Sequence, residues 1–128
     1  MSVRQEFHVP GQPELSHSAH AVRAGDRLFV NGILPVDAHG ILVGGDDVVA
    51  QARRVFSSLR DILAAAGAGF ADVVKVTIFL TDVDDRSRVN PVRQEVFGGT
   101  RPASTLVEVS GLAIPGAKIE VEAVAQLG

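Results

Sequence analysis

The chain has 128 residues and a formal net charge of −3, with six Phe but no Trp, Tyr or Cys. An acidic balance without any Lys/Arg run, and so few aromatics, argue against nucleic acid as a partner, which needs cations for phosphates and rings for bases. The missing cysteines exclude disulfides, thiolate metal sites and cysteine nucleophiles. The opening stretch MSVRQEFHVPGQPE has no apolar core for a signal peptide, and no run approaches the roughly 18 apolar residues of a membrane helix. The expectation is a cytoplasmic protein of one domain, residues 1–128, with no membrane partner.

In chain order, Arg4 to Val9 reads as a short edge strand closed by Pro10, Gly11 and Pro13. Ser18 to Ala24 and Arg27 to Asn31 read as a hairpin around Gly25 and Asp26, a pair suited to a tight turn. The Gly-rich stretch from Asn31 to Gly45 is a surface connection, and Asp46 or Asp47 caps the helix that follows. That helix runs from Val48 to Ala66. Val48, Ala52, Val55, Phe56, Leu59, Ile62, Leu63 and Ala66 fall on one stripe at spacings of three and four, and Gly67 ends it. Gln51, Arg53, Arg54, Ser57, Arg60 and Asp61 are assigned to its solvated face.

Val73 to Thr81 (VVKVTIFLT) is β-branched almost throughout. Val74, Val76, Ile78 and Leu80 alternate with Val73, Lys75, Thr77 and Phe79, so both faces are partly apolar, as in a central strand. Asn90 and Pro91 read as the N-cap and first residue of a short helix ending at Phe97. Two final strands follow. Thr105, Val107 and Val109 alternate with Leu106 and Glu108; then Ile119, Val121, Ala123 and Ala125 alternate with Lys118, Glu120, Glu122 and Gln126.

The implied fold is α+β, one mixed six-stranded sheet with both helices on one face. The other face is then bare. Phe79, Val73 and Val124 would leave an apolar patch there, so the pattern predicts that copies of the chain cover it.

Leu28 to Pro35 (LFVNGILP), Val73 to Asp84 (VVKVTIFLTDVD), Val89 to Phe97 (VNPVRQEVF) and Pro102 to Ala125 (PASTLVEVSGLAIPGAKIEVEAVA) together resemble the Rid proteins. These are also called the YjgF or L-PSP endoribonuclease family. The resemblance implies a chorismate-mutase-like (YjgF-type) fold and a homotrimer with ligand clefts between subunits. It also implies cofactor-independent hydrolysis of reactive enamines and imines such as 2-aminoacrylate, with no cofactor and no metal. In such members an arginine in a Pro-Ala-Arg-Ser motif grips the substrate carboxylate, and a glutamate of the last strand handles the attacking water.

Glu120 falls at the glutamate position, but Ser104 stands where the arginine belongs, and a hydroxyl cannot replace a bidentate cationic fork. Ser18 stands where a tyrosine is usual, Asn31-Gly32-Ile33 replaces Ser-Gly-Gln, and Arg93 replaces an aromatic.

Glu120 is therefore the candidate catalytic group, against the alternative of a carboxylate paired purely for structure. Arg93 and Arg101 are the cations available for a substrate carboxylate, each with a bland reading as surface charge. Asn31, Ser18, Ser104 and Thr105 are candidate polar liners, and the backbone around Leu106 is a candidate water-orienting group. No His sits at a readable spacing to make Ser104 a nucleophile. His17 and His20, three apart in a strand, would face opposite ways and make a poor metal pair. Two functions follow: hydrolysis of a small enamine or imine with altered specificity, or a non-catalytic small-molecule binding or sensing trimer.

Overall fold

The computed structural model describes residues 3–128. Six strands form one mixed sheet: β1 (Arg4–Phe7), β2 (Ala21–Ala24), β3 (Arg27–Ile33), β4 (Val73–Leu80), β5 (Ala103–Glu108) and β6 (Ile119–Gln126), in the order β1-β2-β3-β6-β4-β5. β5 lies parallel to β4, and the other pairings are antiparallel. Two helices, α1 (Val48–Ala65) and α2 (Arg86–Phe97), form the crossovers from β3 to β4 and from β4 to β5.

Period-two alternation supplies one wall of the core: Leu28 and Val30 of β3, Val76, Ile78 and Leu80 of β4, and Ile119, Val121, Ala123 and Ala125 of β6 are all buried beneath the helices. α1 supplies the other wall through the predicted stripe, from which only Ala66 stays half-buried. Each large side chain fully buried here contributes about 1.5–3 kcal/mol. Phe97 joins the helices, meeting Phe56 edge-on at 5.9 Å and Phe70 at 5.8 Å. Asp47 caps α1 by accepting from the Val49 N–H at 2.9 Å. Gly67, at φ +76, turns the chain off its end.

Four expectations need correction. β2 begins at Ala21, not Ser18, because the chain before it is held by the buried His20 ring. His20 Nδ1 accepts from the Val9 N–H at 2.8 Å and Nε2 donates to the Pro13 carbonyl at 2.7 Å. His17 and His20 thus precede the strand.

Second, β4 slips register against β6 between Val73 and Lys75. The slip turns Val73 into the core, 3% exposed, and Val74 out to solvent at 47%.

Third, α2 starts at Arg86. A 3₁₀ turn at Val83–Asp85, capped by the Asp82 carboxylate accepting from the Asp84 N–H at 3.0 Å, feeds straight into it. Pro91 is consequently internal. Its fixed φ suits a helix, and the carbonyl its missing N–H would serve belongs to Ser87, which is exposed to water.

Fourth, Gln51 is not on a solvated face. It is fully buried, with Nε2 donating to the carbonyls of Gly45 (2.7 Å) and Gly116 (3.0 Å) and Oε1 accepting from the Lys118 N–H (2.7 Å). Arg54 is likewise half-buried, donating to the Val36 carbonyl at 2.8 Å.

Candidate functional site

On the sheet face away from the helices, cross-strand registers place Val22, Phe29, Val124, Lys75, Thr77, Glu122, Phe79 and Glu120 side by side. Phe29 is 49% exposed and Val107 of β5 38%. The face is both apolar and acidic, an unusual combination to leave in water.

Glu120 is the group on it whose surroundings do most. Its directly opposed neighbour on β4 is Phe79, and on its other side β3 slips register between Val30 and Ile33, so that Asn31 and Gly32 form an irregularity. Gly32 is needed there: a Cβ built on it would overlap Glu120 Oε2 and stand 3.2 Å from Cδ. The carboxylate therefore lies flat against the bare Gly32 backbone, half-buried. Among the described residues no side-chain hydrogen bond or ion pair reaches it. Burial, with the neighbouring Glu122 charge adding to it, pushes the Glu120 carboxyl above its ordinary 4.5. A carboxylate so placed holds a proton more readily than a free one and is suited to take and return it as a general base.

Beside this bulge a cleft of about 630 Å³ opens on the same face, with Ser18, His17, Asn31, Gly32 and Glu122 on its walls. Asn31 is anchored through its backbone, whose N–H donates to the His20 carbonyl at 2.9 Å. Thr105 lies on this face too, but its hydroxyl accepts from Lys75 Nζ at 2.6 Å.

The remaining candidates lie elsewhere. Ser104 and Leu106 alternate with Thr105 and so face the helix side of β5, opposite Val76 and Ile78. There Ser104 Oγ accepts from Arg93 Nη2 at 2.5 Å, and Arg93 Nη1 donates to Asn90 Oδ1 at 3.2 Å. Arg101 is exposed near Arg93, and both border a depression of about 310 Å³ that Asn90 and Phe97 share. Leu106 is half-buried against the core.

One chain thus brings Glu120, Asn31 and Ser18 to one face of the sheet and Arg93, Arg101 and Ser104 to the other side of its β5 edge. Sequence reasoning missed Gly32, Asn90, Lys75 and Gln51. For Gly32, which the sequence pattern puts in the connection just after the strand, the signals are its place in the Asn31-Gly32-Ile33 motif and a glycine at a strand end, a feature that goes with bulges and close approach. Lys75 acts through Thr105, 30 residues away, and Gln51 through partners 6, 65 and 67 residues away, while Asn90 reads locally as a cap. Among the described residues no group of three or more His, Asp or Glu could hold a metal ion, and no helix is long and apolar enough to cross a membrane.

The family model Endoribonuclease L-PSP matches residues 11–127. The 3-aminoacrylate deaminase RutC of Acinetobacter baylyi is 38% identical over 115 residues, covering 90% of both chains. A 2-iminobutanoate/2-iminopropanoate deaminase of Capra hircus is 37% identical over 111 residues, 86% of this chain and 80% of that one. Among solved structures, YyfA of Yersinia pestis, a Rid-family protein of unknown function, superposes with a TM-score of 0.92 at 30% identity, covering 98% of this chain and 100% of that one. With the fold and nearly the full length in agreement, the chain belongs to the endoribonuclease L-PSP family, the YjgF or Rid proteins.

Proposed function

We propose that the protein hydrolyses a small reactive imine or enamine in a cleft completed between copies of a homotrimer, with a specificity shifted from that of 2-iminopropanoate deaminases. The observation that carries this reading is Glu120, a half-buried carboxylate without a bonded partner among the described residues, pressed on Gly32 with its proton affinity raised. Relatives named as deaminases of 3-aminoacrylate and of 2-iminobutanoate support the chemistry.

The reaction asks little of a protein. Water adds its oxygen to the C=N carbon while Glu120 accepts the water proton. Glu120 returns that proton to the nitrogen of the resulting aminoalcohol, the C–N bond breaks, and ammonia leaves as the hydroxyl gives its proton back to Glu120 and becomes a C=O group. Placement of the water and of one base supplies most of what is needed. The altered specificity follows from Ser104, Ser18, Asn31 and Arg93 standing where the family resemblance implies other side chains.

The test is a coupled assay in which 2-iminobutanoate is generated in situ and its hydrolysis compared with the uncatalysed rate. Wild type is expected to accelerate it, and Glu120→Ala to fall to the uncatalysed rate. An inert wild type would favour the second reading, a binding or sensing trimer, for which the neutral Ser104 is the specific argument. The acidic balance and the missing Trp and Tyr argue against the nuclease role in the family's name.

A further inference from the structure

The depression between α2 and the start of β5 has a one-sided charge. Arg93 and Arg101 border it and no acid does, in a chain whose net charge is −3. Among the other arginines, half-buried Arg54 donates to the Val36 carbonyl, and four exposed ones are paired with carboxylates: Arg4 with Glu6, Arg53 with Glu95, Arg60 with Asp61 and Arg88 with Asp85. Arg93, which is more buried than any of these four, has no ion pair among the described residues.

Its two bonds go to neutral acceptors, Asn90 Oδ1 and Ser104 Oγ. These fix the direction of the guanidinium without neutralising it. Burial holds Arg93 below its usual proton affinity, as expected of a cation taken from water without a counter-ion. Each terminal nitrogen keeps a second N–H uncommitted, and the Ser104 hydroxyl keeps its proton to donate. The walls beside this head group are Phe97 and Pro102, which suit a short alkyl chain. A volume of about 310 Å³ suits a small ligand.

We propose that Arg93 is the seat for the carboxylate of a small 2-oxo or 2-imino acid, aimed by Asn90 and by Ser104 as positioning residues. The identity of the acid rests on the deaminase reading; the anion seat itself does not. Ser104 then has a defined part: at the position where the resemblance implies an arginine, its hydroxyl holds an arginine delivered from the neighbouring helix. Because Glu120 lies on the opposite face of the sheet, this seat meets a Glu120 carboxylate only when a second copy supplies it.

Calorimetric titration with 2-oxobutanoate, and with butanone as the same skeleton lacking the carboxylate, tests this. Wild type is expected to bind the acid and not the ketone. Arg93→Ala should weaken binding about ten- to a hundredfold, the range for losing a charged hydrogen-bonded fork. Arg93→Lys, a point charge, should recover it only in part, and Ser104→Ala should weaken it by a smaller factor. If Arg93→Ala fails to fold, as judged by circular dichroism, Arg93→Gln carries the comparison.

Unchanged binding in the folded Arg93 variant, no binding by wild type, or equal affinity for inorganic phosphate overturns the proposal. Turnover of 2-iminobutanoate, followed in parallel, separates the two readings. Binding without turnover leaves the arginine seat standing and removes the deaminase, whereas turnover untouched in Arg93→Gln removes the seat and leaves the deaminase.

Discussion

Glu120 and Gly32 act as a unit, because the space the carboxylate occupies exists only while Gly32 has no side chain. Gly32→Ala would push the carboxylate aside. The atom it strikes is the end of a flexible side chain, so the fold should survive with little change in melting temperature, while kcat falls about 10- to 100-fold, as misplaced catalytic groups do.

The raised proton affinity of Glu120 has two consequences of opposite value. Activity that needs the ionised carboxylate should rise with pH along a limb centred above the ordinary 4.5, and Glu120→Gln should abolish both limb and rate. For stability, the folded chain holds a proton through the interval above 4.5 in which the unfolded chain has lost it. Stability is therefore lost as pH rises through that interval and stays lower above it. Thermal melts should find Glu120→Gln more stable than wild type at pH 8 and indistinguishable from it at pH 4.

Between elements, the most concentrated polar link is Gln51, which ties the first turns of α1 to the loop at Gly45 and to the connection entering β6. Removing it empties a fully buried site and takes their shared partner from the carbonyls of Gly45 and Gly116 and the N–H of Lys118. Gln51→Ala should lower the free energy of unfolding by about 3–5 kcal/mol, measured by urea denaturation with an unchanged m-value.

The apolar stripe of α1 was legible in the sequence because its spacing is periodic. Gln51 was not, because a polar side chain reads as solvent-facing and its three partners are backbone groups up to 67 residues away. The start of α2 was misplaced for a related reason. Asn90-Pro91 is a good local signature for a helix start, but the Asp82 cap and the 3₁₀ turn begin the helix earlier, and Asn90 is spent on Arg93 instead.

For the whole molecule, the open face with Phe29, Val107 and the partly exposed Phe79 and Val124 implies a cover. Phe29→Asp should shift the protein to smaller species in sedimentation while leaving its helical circular dichroism intact, and should cost deaminase activity. The division of the candidate groups between two sides of the sheet gives a sharper check. Arg93→Ala and Glu120→Ala chains, each inactive alone, should regain activity when refolded together. In a closed ring mixed one to one, about a quarter of interfaces would pair an intact arginine with an intact glutamate. No recovery from a mixed assembly would mean that the two groups do not share a site.

Legible in the amino-acid order alone were the α+β class, at least one helical crossover, the core stripe of α1, the alternation that aims Glu120 away from the core and the family. All of these rest on local periodicity or on ordered motifs. The register slips that bury Val73 and open the space over Gly32, the internal staple at Gln51 and the capture of Arg93 by Ser104 came from the packed fold. The physical reason is that these depend on which strand lies beside which and in what register. The pairing of β6 between β3 and β4 joins residues about 40 to 100 positions apart, and no local pattern encodes where a side chain at that distance will meet its partner.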